Sequence, residues 1–509
     1  MSGSLYSSAE IRAIEIAHAK KFPKQCLMLR AGVAVATLAS KIARKKRGAN
    51  ILILAGPGNN GGDAWVAAAA LQKAGQRVSI LEPHAQKCVA PAARDARAAF
   101  RKAKGTVVAK FPDSQRFELI IDGLFGIGCQ RAPEGKFADA IKTANANADR
   151  NQTPILSIDV PSGLSADTGV AFGATIHADF TLTLLGAKPG LYTADGPDHA
   201  GEIQIESLGV EMTASQGQLL THVNIAPLIP IRRKNSHKGS FGNVGIIGGA
   251  AGMIGAAVLA ARAALHMGPG KVFLGLAAKA APVYDTINPE IMVRAAEELV
   301  TDQSMTSLAI GMGLGTVKSA PRLLVAALTH AVPMVIDADA LTMIAENPSI
   351  NAALQAKMAG KPHHALHLIF TPHPGEAARL LGVSTQEIQT DRISTAKSIA
   401  KKFNAVTVLK GAGTVIATPD GHYCINTSGN PGMASGGMGD ALSGMIAAFL
   451  AQGLNTLDAA KLGVFLHGAA ADECLTHAMA PHGLTASEVI FEARTLLNAG
   501  LVPHDHDHH

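Results

Sequence analysis

Aromatic side chains are scarce: phenylalanine, tyrosine and tryptophan make up 4% of the 509 residues. That scarcity excludes the stacking platforms on which single-stranded nucleic acid is held. Charge is thin as well, with 17% charged residues and 45 basic against 39 acidic side chains, a net +6. The basic residues are scattered except in KIARKKR at 41–47, which reads as a solvated helix end, so no nucleic-acid partner is expected. The five cysteines (Cys26, Cys88, Cys129, Cys424, Cys474) form no CxxC pair and follow no signal-peptide pattern, and the expected setting is a reducing cytoplasm. The longest uncharged run, between Lys238 and Arg262, is long enough to span a membrane, but its seven glycines are spaced like turns. It reads as a buried strand, loop and helix, and no membrane partner is expected. PHDHDHH at 503–509 could hold a metal, but reads as a flexible end or cloning remnant and takes no part in the fold.

What the chain has in quantity is apolar residues, 48% of the total, and glycine, 52 residues. A length of 509 exceeds what one core organises, so two domains are expected, with three possible. Strand-like apolar runs alternate with Ala-rich helical stretches. They fall at 51–56, 77–82, 118–126, 154–160 and 178–186, then at 243–249, 271–277, 307–315, 333–341, 367–376 and 405–414. Continuous apolar strands separated by helices indicate an α/β protein with parallel sheets covered on both faces, whose ligands sit beyond the carboxyl ends of the strands. Periodicity is weakest in EMTASQGQLLTHVN at 211–224, which places the junction there and gives domains 1–214 and 222–500 with a tail 501–509. No short internal repeat is visible.

In the second half, NPGMASGGMGDALSG at 430–444 crowds glycines ahead of an apolar run. Bare backbone N–H groups at a helix start make an anion seat. A carboxylate there, Asp440, would repel that anion unless it faces another group, such as a hydroxyl about to lose its proton. A helix N-cap alone needs no such glycine cluster. SHKGSFGNVGIIGGAAGMIGAA at 236–257 gives strand, glycines and helix start, a pattern that serves packing as well as binding. LKGAGTVI at 409–416 ends a strand with Lys410 where a nucleotide phosphate or ribose could lie, and TPHPGE at 371–376 holds His373 between two prolines.

With NPEIM at 288–292, IGMGLG at 310–315 and DADAL at 337–341, these motifs resemble the ADP- or ATP-dependent NAD(P)H-hydrate dehydratase of the ribokinase-like superfamily, over about 227–489. The resemblance implies that Lys410, Gly411, Ala412, Gly413, Thr414 and Gly439 contact the adenine nucleotide, with Gly436 and Gly437 in the phosphate loop. It further implies that Asp440 and His373 lie against the hydrate, with Gly313 and Ala256 near it, and that Mg²⁺ accompanies the nucleotide. Met312 stands where the family usually has proline.

In the first half, AGPGNNGGDAW at 55–65 meets the dinucleotide G-x-G-x-x-G spacing only in part, and its paired asparagines and Asp63 offer side-chain oxygens instead. DGLFGIGCQR at 122–131 and SIDVPSGLSADTG at 157–169 end two further strands. Together they present Asn60, Asp122, Asp159 and Ser162, an oxygen-rich set suited to a hard cation and an acid–base carboxylate. These stretches resemble NAD(P)H-hydrate epimerase over about 5–209. By that resemblance Asn59, Asn60, Gly61, Gly62 and Asp63 line the substrate together with Gly126, Ile127, Gly128, Cys129, Gln130, Arg131 and Ala132; Asp159 is the catalytic carboxylate, and Asn60, Asp122 and Ser162 bind potassium. Leu29, Ala64 and Ser165 depart from the family pattern outside this cation set.

The fold so implied is a Rossmann-like three-layer α/β/α domain followed by a ribokinase-like α/β domain. The function is repair of NADHX and NADPHX by epimerisation and nucleotide-dependent dehydration, in a homo-oligomer. The epimerase-first order resembles bacterial fusions that use ADP. The competing readings are a kinase that releases a phosphorylated small alcohol, and a non-catalytic nucleotide sensor or scaffold.

Overall fold

A computed structural model describes residues 3–43, 47–83, 91–112, 115–279, 282–315, 318–358, 367–478 and 480–501. Cys88, part of the basic run at 41–47 and residues 502–509 of the expected tail lie outside them. The chain forms two compact units, Met1–Gly217 and Gln218–His509.

In the first unit the strands are β1 (Asn50–Ala55), β2 (Arg77–Leu81), β3 (Thr106–Val108), β4 (Leu119–Gly123), β5 (Ile155–Ile158), β6 (Phe180–Leu184) and β7 (Glu202–Glu206). They form one sheet in the order β3-β2-β1-β4-β5-β6-β7, every pair parallel. Alternate residues enter different cores: Ile51, Ile53, Leu119 and Ile121 pack on one face, Leu52, Leu54 and Ile120 on the other. A strand buried on both faces needs no polar alternation, which is why these runs are continuously apolar.

The second unit holds β8 (Asn243–Gly248), β9 (Lys271–Leu276), β10 (Met292–Ala295), β11 (Ser307–Ile310), β12 (Met334–Ile336), β13 (Leu368–Phe370), β14 (Val406–Leu409), β15 (Val415–Ala417) and β16 (Tyr423–Asn426). Their order is β16-β15-β14-β13-β12-β11-β8-β9-β10. Pairing is parallel from β14 to β10, but β14–β15 and β15–β16 are antiparallel. The parallel sheets expected from the sequence are present, and an antiparallel edge of β15 and β16 extends this one. The cause is local: Thr418 to Gly421 reads TPDG, Gly421 has φ 91°, and the Gly421 N–H donates to the Thr418 carbonyl, a turn that returns the chain alongside itself. The uncharged run after Lys238 forms β8 and the helix Ile254–His266. No described helix is long and apolar enough to cross a membrane.

Most strands end earlier than their apolar runs. The run 307–315 is strand only to Ile310, because Gly311, Gly313 and Gly315 all have positive φ. Beyond β12 a helix, Ala338–Glu346, starts at once. The glycine-rich helix Met438–Ala451 crosses Ile254–His266 so closely that a Cβ on Gly444 would lie 2.0 Å from the Ala260 carbonyl oxygen. Backbone cannot yield as a side chain does, so Gly444→Ala is expected to destabilise the second unit by about 1–3 kcal/mol. A lowered urea midpoint would show it, and an unchanged midpoint would mean the helices can part.

Candidate functional site

Each unit gathers its motifs at the carboxyl edge of its sheet. In the second unit the parallel strands β14, β13, β12, β11 and β8 are successive neighbours, so the loops beginning at Lys410, Thr371, Asp337, Gly311 and Gly249 emerge side by side. The Lys410 N–H donates to the Pro372 carbonyl at 2.9 Å and ties two of these loops together.

The helix Met438–Ala451 points its start at this edge. Gly437, at φ 92°, occupies the N-cap position without a side-chain cap, and Asp440 lies in the first turn. Asp440 is therefore not the cap. A Cβ on Gly436 would meet open space, whereas one on Gly439 would lie 3.2 Å from the Lys410 ammonium nitrogen. Lys410 donates to Asp337 at 2.8 Å and stands 3.9 Å from Glu376. The far oxygen of Asp337 accepts from the Ser443 hydroxyl at 2.7 Å. Burial works to lower the Lys410 ammonium, but Asp337 and Glu376 outweigh it and hold it above its ordinary value. Burial, with the charge of Asp337 added and that of Lys410 opposing, pushes Asp440 up to about 6. A carboxylate in that range can still take a proton near neutrality.

His373 caps the helix Pro374–Leu381: its Nδ1 accepts from the Gly375 N–H at 3.0 Å, and Glu376 returns the bond by accepting from the His373 N–H at 2.8 Å. Half the ring is exposed, and burial of the rest together with Lys410 lowers its pKa, which favours the neutral imidazole. Gly313 and Ala256 adjoin, with only 3.1 Å between the Ala256 Cβ and a Cβ built on Gly313. In the 410–414 loop Thr414 donates to the Gly411 carbonyl at 2.9 Å, and Gly413 has φ 62°. Buried Arg392 braces the corner, donating to the carbonyls of Leu409 and Lys410 at 3.2 Å each.

In the first unit β1, β4 and β5 are neighbours, so the loops after Ala55, Gly123 and Ile158 also converge. Glycine is required where they touch: a Cβ on Gly56 would lie 1.8 Å from the Leu124 carbonyl oxygen, and one on Gly61 1.9 Å from that of Gly56. Asp122 has no exposed surface and accepts from the Ser162 hydroxyl at 2.6 Å, the Ser162 N–H at 2.8 Å, the Ser157 hydroxyl at 3.0 Å and the Leu124 N–H at 3.2 Å. Burial still raises its carboxyl above the usual range. Asn60, on the first turn of the helix Asn59–Lys73, donates to the Phe125 carbonyl at 2.9 Å, and the Phe125 N–H donates to the Ser162 hydroxyl at 2.8 Å. Asn60, Asp122 and Ser162 thus meet around Phe125.

Asp159 stands beside them, held at φ 68° with its N–H on the Leu182 carbonyl. That left-handed conformation costs roughly 1 kcal/mol or more outside glycine. A Cβ on Gly126 would lie 3.2 Å from the Asp159 Oδ2 and 3.3 Å from the Asn60 Cγ, so the bare Gly126 faces both side chains. Gly128, Gln130, Arg131 and Ala132 are exposed, and Ile127 and Cys129 half-buried. Burial pushes the Cys129 thiol up. Asp63 is buried, and burial together with Asp159 and Glu15 raises it well above the carboxylate range.

Several residues of these sites are not among those expected from the sequence. Lys188 pairs with Asp159, Glu15 bears on it, and Asp337, Glu376 and Ser443 surround Lys410. GAKPG at 186–190 carried one signal, a lone cation at a strand end between an apolar run and Pro189.

Residues 244–493 match the NAD(P)H-hydrate dehydratase family, and residues 24–190 match the family described as YjeF-related protein N-terminus. The bifunctional NAD(P)H-hydrate repair enzyme of Escherichia coli is 38% identical over 495 residues, covering 94% of this chain and 91% of that enzyme. That of Coxiella burnetii is 35% identical, covering 97% and 99%. Among solved structures, the ADP/ATP-dependent NAD(P)H-hydrate dehydratase of Bacillus subtilis, crystallised with ATP and Mg²⁺, is 30% identical with a TM-score of 0.48, covering 55% of this chain and 98% of that one. The chain belongs to the bifunctional NAD(P)H-hydrate repair enzymes, with an epimerase domain and a dehydratase domain.

Proposed function

We propose that Asp440 is the base of the dehydration and that Asp159 is the acid–base carboxylate of the epimerisation. The observation that carries the first is the helix start at Gly437, where an exposed glycine loop, Lys410 and a carboxyl raised to about 6 share one small region. Hydroxide is a poor leaving group, and phosphorylation makes it a better one. In this reading the N–H groups of Gly436 to Gly439 and the Lys410 ammonium hold the terminal phosphates of ADP or ATP. Lys410 to Thr414 flank the rest of the nucleotide, while His373, Ala256 and Gly313 border the hydrate.

Asp440 accepts the proton of the ring hydroxyl as its oxygen bonds to phosphorus, and the nucleotide departs as AMP or ADP. The C–O bond then breaks with its electrons leaving on phosphate. Loss of a proton from the adjacent ring carbon restores the double bond. The nucleotide's Mg²⁺ would be held chiefly by the phosphates, with Asp440 and Asp339 the nearby hard oxygens, and would neutralise phosphate charge.

In the first unit a single carboxylate, Asp122, among the neutral oxygens of Asn60, Ser162 and Phe125 suits a monovalent cation such as potassium, and the raised Asp122 carboxyl suits a cation neighbour. Such an ion would fix the loop that carries the substrate.

The test is a pH profile. Only ionised Asp440 accepts a proton, so kcat/KM for dehydration is expected to fall by about tenfold per pH unit well below the midpoint near 6. Product analysis should show inorganic phosphate and restored reduced nicotinamide. A flat profile from about pH 5 to 8 removes Asp440 from this role.

A further inference from the structure

Asp159 has one oxygen engaged and one facing the site. Its Oδ1 accepts the Leu184 N–H at 3.2 Å and the ammonium of Lys188, while Oδ2 lies over the bare Gly126. Lys188 has no exposed surface. An ammonium carries three protons, and three acceptors surround this one: Asp159 Oδ1, the Thr183 hydroxyl at 3.1 Å and the Leu184 carbonyl at 2.5 Å. With every proton engaged, Lys188 has none to give a substrate.

Other charged groups bear on Asp159 from neighbouring elements. Asp63 comes from the helix Asn59–Lys73 and Glu15 from the helix Ser8–Lys21, with Arg12 close to Glu15. Burial raises both carboxyls, and the negative charge of Asp159 raises them further. A carboxylate crowded by two other carboxyl groups is held in one orientation by a charge-assisted hydrogen bond from a fixed cation. Among the described residues, Lys188 is the cation that hydrogen-bonds it.

We propose that Lys188 is the positioning residue of the epimerisation site, clamping Oδ1 of Asp159 so that Oδ2 alone is presented to the substrate across Gly126. This rests on the reading of Asp159 as the acid–base carboxylate. The strained Asp159 backbone then has a purpose, since the same turn that directs Oδ2 outward brings Oδ1 onto the ammonium.

The test follows interconversion of purified R- and S-NADHX by the full chain without nucleotide. Lys188→Met keeps the bulk of the side chain and removes the charge. It is expected to lower kcat about 100-fold, with KM changed less than about threefold. Lys188→Arg keeps the charge and is expected to restore about tenfold of the lost kcat. It also serves if the methionine variant does not fold, as circular dichroism would tell. A methionine variant with the original kcat overturns the proposal. So does a pair of equally slow variants, or a loss that falls on KM and not on kcat, either of which would make Lys188 a purely structural cation. Asp159→Asn separates the two readings: full activity there dismisses Asp159 itself, whereas an inactive Asp159→Asn beside an unaffected Lys188→Met dismisses only the lysine.

Discussion

Asp440→Asn is expected to slow nucleotide-dependent recovery of reduced-nicotinamide absorbance by roughly 10²–10⁴-fold, the range a positioned general base contributes. Asparagine has the same shape and preserves the first turn of Met438–Ala451. It cannot take up a proton. Affinity for metal-free nucleotide, measured by calorimetry, is expected to hold or improve, because Asp440 is a negative charge beside the proposed phosphate seat and its loss relieves repulsion. Stability is also expected to hold, since the carboxyl already sits where burial and Asp337 disfavour its charge. A slow enzyme that still binds nucleotide is the signature of a chemical role. Turnover near the original rate would reduce Asp440 to a bystander.

Asp159→Ala is expected to leave dehydration of S-NADHX intact and to stall consumption of the R epimer, with epimerisation down by a similar 10²–10⁴-fold. The two activities belong to separate domains of one chain, so the unaffected reaction checks the protein's integrity in the same tube. Alanine also strands the buried Lys188 ammonium, and removing one partner of a buried pair costs about 3–5 kcal/mol. Asp159→Asn should accompany it, because the amide oxygen can still accept from Lys188 while no longer acting as a base. Loss of epimerisation in both variants assigns the role to the carboxylate. Equal consumption of the two epimers by either variant would end the division of labour.

Much of this architecture is legible in the sequence. Continuous apolar strands between helices point to the parallel sheets that form. In the glycine clusters at 56–62 and 430–439, Gly56, Gly61 and Gly62 have no room for a Cβ and Gly437 turns through positive φ, whereas Gly436 faces open space. The hairpin of β15 and β16 was missed because two short strands carry less pattern than a long apolar run, although TPDG marked its turn.

By itself the sequence determined everything that depends on a residue and its near neighbours: strand and helix periodicity, the glycine corners, and which motifs carried carboxylates or cations. Only tertiary structure decided which charges became partners. Lys188 reaches Asp159 across 29 residues, Lys410 reaches Asp337 across 73, and Ser443 reaches the same aspartate across 106. The physical reason is that a buried charge is stable only beside its counter-charge, and strand order, which no local pattern encodes, sets which strand ends lie close enough to supply it.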